Sequence, residues 1–262
     1  MKYDLTQARK CIETLDKRRF DRALLGSGDT FRHIVSLVPL LLHLNHPALP
    51  GYVEDAPAGI ADFILSNYQQ NFLSKEHPEL VEDVQSAVNS DAVFTPILGI
   101  YVMGSFGSIS QTSASDLDIW ICHQDDLSEQ DQQRLAEKTK KITQWASTFH
   151  VEMHFYLMTQ KRFRNERYSD PLTKENSGSA QYMLLLEEFY RSAVRLSGKP
   201  LLWLHLWVED EKQYEAEVAR LVAEGELNPN DWVDFGGLGQ FSASEYFGAS
   251  LWQLYKGIDS PY

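Results

Sequence analysis

At 262 residues the chain can form one large domain or two small ones around a sizeable core, and its 43% apolar content is ordinary for a globular protein. A net charge of -13 excludes a general nucleic-acid binder, which would present a basic face, but not a small phosphate-bearing ligand whose charge is met locally by metal. Only Cys11 and Cys122 occur, without metal-ligand spacing, and no run approaches bilayer-spanning length; the expectation is a cytoplasmic protein with no disulfide framework and no transmembrane segment.

Apolar residues at Leu5, Ala8, Ile12, Leu15, Ala23 and Leu24 predict a helix over 3–25, closed by Gly26-Ser27-Gly28. Asp29 then caps a second, largely buried helix running through Leu42, with Pro39 as a point of kinking. His43 and His46 are three apart, but no carboxylate or cysteine completes a metal site, so both read as structural. The Pro- and Gly-bearing stretch 46–59 reads as a loop, followed by helical patterns over 61–73 and 78–88. Residues 1–90 therefore read as a helical platform, 91–210 as a strand-bearing core, and 211–262 as a carboxyl-terminal helical segment.

The core opens with ILGIYVMGSFGSISQTSASDLDIWIC, residues 97–122. Its first apolar run predicts a strand that turns at Gly104-Ser105, where backbone amides and a hydroxyl could cradle phosphate oxygens. The second run carries Asp116 and Asp118, which alternation places on one face of a strand. Two carboxylates so placed cannot both ionise cheaply unless a cation neutralises them, and a hard, oxygen-seeking ion such as Mg2+ meets that demand.

A helix over 128–149 leads into HVEMHFYLM, whose alternation turns Val151, Met153, Phe155 and Leu157 one way and Glu152, His154 and Tyr156 the other. A basic, irregular stretch over 161–174 precedes a predicted helix over 179–196, on which Arg191 and Arg195 share a face, with Lys199 just beyond. No lysine lies between Lys17 and Lys75 or between Lys75 and Lys138, so the charge of a phosphate-bearing ligand would fall largely to these later cations or to metal. Residues 200–207 read as a strand and 209–224 as a helix. Ser242 with Glu245 forms a capping box before a final helix.

Strand, Gly-Ser turn, linker and Asp-x-Asp strand together resemble the nucleotidyltransferase fold of the DNA polymerase beta type. That resemblance implies an α+β class, a mixed sheet with flanking helices, preceded and followed by helical segments. It also places a third metal-binding carboxylate at Glu152. The longer phrases MGSFGSISQTSASDLDIWICHQ, LLLEEFYRSAVRLSGK and SASEYFGASLWQLYKGIDSPY look like the amino-terminal catalytic region of bacterial class I adenylate cyclases. By that resemblance the substrate is ATP, the products are cyclic AMP and pyrophosphate, and a two-metal Mg2+ site is held by Asp116, Asp118 and Glu152. Gly104, Ser105, Ser115, Arg191 and Lys199 would hold the nucleotide. It further implies a longer protein whose carboxyl-terminal regulatory region is absent here. Two other readings stay open: nucleotide transfer to another acceptor, and a non-catalytic nucleotide-binding or interaction module.

Overall fold

A computed structural model describes residues 4–81, 84, 95–112, 115–166, 179–206, 208, 210–238 and isolated positions near the carboxyl end. Its centre is a mixed four-stranded sheet in the order β3-β2-β1-β4. Strands β1 (Ile97–Met103) and β2 (Leu117–His123) pair antiparallel, and β1 also pairs antiparallel with β4 (Val194–Gly198). Strand β3 (Met153–Met158) lies parallel to β2, joined to it through a crossover helix as a parallel pair requires.

Helix α1 (Leu5–Leu25) starts where the Asp4 carboxylate accepts the Gln7 N–H at 2.9 Å. Only Ala23 of α1 is buried, so the helix lies on the surface. Helix α2 (Asp29–His43) buries eight residues from Ile34 to Leu42 and runs through Pro39. Helix α3 (Asn67–Glu76) begins at a reciprocal capping box between Ser66 and Gln69. The crossover helix α4 (Glu129–Ser147) is capped by the Ser128 hydroxyl, which accepts the Asp131 N–H at 3.1 Å. Then come α5 (Gln160–Glu166), α6 (Ser179–Ser192) and α7 (Tyr214–Ala223).

Strand alternation divides the apolar side chains between two layers. Ile100, Val102, Leu117, Ile119 and Ile121 join α2, α4 and Met153 in one cluster, which therefore spans the amino-terminal helices and the sheet. Tyr101, Trp120 and Cys122 join Phe163, Leu186, Phe189, Tyr190 and Phe235 on the opposite face, where Trp120 stacks on Phe189 with centroids 4.1 Å apart. Among the described residues no helix is long and apolar enough to cross a membrane.

Several expectations need correction. The helix predicted over 61–73 begins only at Asn67, because Ala61 N–H bonds Ile97 O at 2.8 Å and Asp62 takes a positive φ of 50°. The helix expected through residue 196 stops at Ser192: the chain turns and pairs along the free edge of β1, so Arg191 and Arg195 share no helical face. Residues 202–205 form a 3-10 turn, and the strand expected there is reduced to one bridge between Leu201 and Val233. The stretch after residue 160 is not irregular at its start, since α5 occupies it, and Arg164 is paired with Glu215 and Asp234. The predicted Ser242 cap lies outside the described residues.

Candidate functional site

The ladder gathers one group of side chains at one end of the sheet. Strand β1 ends at Met103, which pairs with Asp118 near the start of β2, and Gly104 opens the turn that follows. Across the parallel pair Asp118 lies beside His154, and the Leu117 N–H donates to Glu152 O at 3.0 Å. Backbone pairing therefore sets Asp116, Asp118, Glu152 and the Gly104 turn at the same end of the sheet, although Gly104 and Glu152 are 48 positions apart along the chain.

The Asp118 carboxyl is half-buried, while Asp116, immediately before the strand, is exposed. Burial raises the Asp118 pKa most, the Asp116 charge raises it further, and His154 and a hydrogen bond from Tyr156 oppose the rise. The Tyr156 hydroxyl donates to Asp118 Oδ1 at 3.3 Å. Glu152 and His154 are exposed and contact each other at 3.2 Å. A carboxylate that sequence reasoning missed also faces this group: Glu188 on α6 is pushed upward by burial and then by the Asp118 charge. Its only signal in the sequence was its place inside the LLLEEFYRSAVRLSGK phrase. Among the described residues, no three His, Cys, Asp or Glu side chains converge as a ready metal-ligand set.

At the turn, Gly104 has a φ of +78°, a left-handed conformation that glycine adopts without steric cost. Its N–H donates to Ser192 Oγ at 3.0 Å, and Ser105 O accepts the Ser108 N–H at 2.9 Å. Ser115 is tied into a local turn, its hydroxyl accepting the Thr112 N–H at 2.9 Å. Arg191 is exposed at the end of α6, near this sheet end, with its Nε donating to Glu187 at 2.9 Å.

Lys199 is elsewhere. Gly99 pairs with Gly198, and Lys199 N–H bonds Leu98 O, so Lys199 stands about five residues along β1 from the Asp118 level, roughly 16 Å at about 3.3 Å per residue. Its carbonyl accepts the Tyr101 hydroxyl at 2.5 Å. Arg195 is committed to structure, donating to Gly198 O and Glu13 at 3.1 Å each. His43 is structural as expected: its Nδ1 accepts the Ile60 N–H at 3.0 Å, its ring stacks on Phe63, and burial lowers its pKa to about 4.

Comparison with known proteins adds independent findings. Residues 4–204 match the family described as the adenylate cyclase NT domain, and residues 241–262 match the class-I adenylate cyclase second domain. The chain is 67% identical over 267 residues to an adenylate cyclase of Haemophilus influenzae, with 100% of this chain and 32% of that protein covered. It is 44% identical over 252 residues to the adenylate cyclase of Escherichia coli K12, covering 96% of this chain and 29% of that one. The chain thus spans about a third of the length of these curated relatives. A solved structure described as a toxin-antitoxin with AMP-PNP aligns at 12% identity and TM-score 0.23, covering 73% of this chain and 98% of that one, a likeness too slight to bear on fold or function.

Proposed function

The chain belongs to the class I adenylate cyclase family, and from that membership we propose that it carries the nucleotide-binding part of an enzyme converting ATP to 3',5'-cyclic AMP and pyrophosphate. In this reaction the ribose 3'-oxygen bonds to the α-phosphorus, the bond from that phosphorus to pyrophosphate breaks, and the hydroxyl proton is released. The observation that carries the reading is the register of Met103 with Asp118, which sets a left-handed glycine turn beside an acidic pair at one sheet end.

The acidic pair suits a hard divalent ion. Both donors are carboxylates, and burial together with repulsion from Asp116 makes the ionised Asp118 costly, a cost such an ion relieves. Asp116 and Asp118 would hold Mg2+, with Glu152 joining them once its contact with His154 is given up. Bound there, Mg2+ would supply positive charge that acidifies the 3'-hydroxyl and stabilises the departing pyrophosphate; a second ion would share that work. Tyr156 holds the Asp118 carboxylate through Oδ1 and so fixes its orientation.

A phosphate oxygen accepting the Gly104 N–H would displace the Ser192 hydroxyl, which occupies that donor now. Ser105 and Ser115 would contribute hydroxyls around the turn. Arg191, exposed on a long side chain, would exchange Glu187 for phosphate and stabilise charge moving onto pyrophosphate. Lys199 lies about five residues along the ladder from the Asp118 level, so a contact from it would be to a part of the nucleotide away from the acidic pair.

Incubation with ATP and Mg2+ followed by product analysis tests the proposal. Cyclic AMP and pyrophosphate without an added acceptor support it. A nucleotide attached to an acceptor would instead identify a transferase.

A further inference from the structure

We propose that Arg19, on a helix that contributes none of the expected site residues, is a positioning residue that holds the Gly104 turn in its nucleotide-receiving shape. The inference rests on the nucleotide reading given above. One guanidinium bonds three backbone carbonyls from two segments: Nη2 donates to Phe106 O at 2.9 Å and Ser192 O at 2.6 Å, and Nη1 donates to Ala193 O at 3.2 Å. The Ser192 and Ala193 carbonyls lie at the end of α6, where helix carbonyls lack intrahelical partners. Phe106 O belongs to the turn. Arg19 thereby fastens the turn to α6 through main-chain carbonyls alone, so the Ser192 hydroxyl that now meets the Gly104 amide can yield to a phosphate without loosening that fastening.

Two further observations show that α1 shapes the whole turn. Gly107 has a φ of +66°, and a Cβ there would run into the carbonyl of Arg19 itself, so helix backbone and turn backbone touch. Gln111 then bridges the two: its Oε1 accepts the Gly107 N–H at 2.7 Å, while its Nε2 donates to Ala23 O of the helix at 3.4 Å and to Ser27 Oγ just past its end at 3.1 Å. A lysine, with one nitrogen, cannot span the three carbonyls that the planar guanidinium reaches.

The test is calorimetric titration of ATP with Mg2+ into the wild-type chain, Arg19→Lys, Arg19→Ala and the control Arg195→Ala. Arg195 also joins this helix to the sheet, through Glu13 and Gly198, but makes no bond to the turn, so it controls for a general loss of helix attachment. Both Arg19 variants should bind at least tenfold more weakly, while Arg195→Ala keeps wild-type affinity despite a comparable loss of melting temperature. Guanidinium ion at low, non-denaturing concentration should restore part of the affinity of Arg19→Ala, which a general loss of stability would not allow. If Arg19→Ala fails to fold, Arg19→Lys, which keeps the charge and most of the stem, decides alone. Wild-type affinity in a folded Arg19→Lys, or an equal loss in Arg195→Ala, overturns the inference while leaving the nucleotide reading intact. A wild-type chain that binds no ATP overturns both.

Discussion

Asp118 occupies a position where ionisation is costly, since burial and the Asp116 charge both favour its neutral form. An acid whose folded pKa is raised binds extra protons in the native state, so its contribution to stability falls as pH rises through the interval between the unfolded and folded values. Asp118→Asn should therefore melt no lower than wild type at pH 7, and its advantage should shrink toward pH 4. Asp16 follows the same sign: burial raises its carboxyl to about 6, against which its hydrogen bond from the Arg195 N–H and the neighbouring arginines pull only partly. Asp16→Asn is expected to stabilise the chain by about 1 kcal/mol at pH 7, after discounting for solvent screening, with the gain gone near pH 4; denaturant melts at the two pH values check this. That Asp118 lies close to Asp116 was readable from their spacing, because it depends on local backbone geometry, although Asp116 falls just before β2. Glu188 and Arg19 were not readable, because each meets its partner through contacts that no spacing in the chain encodes; alternation gave Tyr156 its face but not its bond to Asp118.

At the scale of elements, β1 and β2 were legible as apolar runs bounded by turn residues, β3 by its alternation and α4 by its helical period and cap. The boundary between α6 and β4 was not. RSAVRLSG continues a helical pattern, and only the open edge of β1, formed by residues nearly a hundred positions away, draws it into a strand. The helix predicted from residue 61 failed similarly, through a bond from Ala61 to Ile97. The glycine turn shows the opposite dependence, with backbone shape set by one residue type. Gly107→Ala combines a left-handed φ with a clash against backbone, so it should cost about 1–3 kcal/mol in a denaturant titration. Because the displaced segment includes Phe106 and adjoins Gly104, the same variant should also weaken ATP binding.

Across the whole molecule, the amino-terminal helices and the central sheet share one apolar cluster, in which Leu37, Leu40 and Leu41 of α2 join Ile100, Val102 and Ile119. Damage to the helices should reach the site. Leu41→Ala, at a fully buried position, should cost about 2–5 kcal/mol and lower the melting of the helical and near-ultraviolet signals together, in a single transition. Separate transitions would show that helices and sheet unfold independently. The same continuity explains how α1, which holds no expected ligand, bears on a turn more than eighty residues away. The most direct test of the nucleotide site is a titration of ATP with Mg2+ into the wild-type chain and into Asp118→Asn, with melting temperature recorded for both. Saturable binding in the wild type that falls at least tenfold in a fully folded variant is the expected result. Equal affinity in the two would contradict the assignment of Asp118 to metal-assisted nucleotide binding.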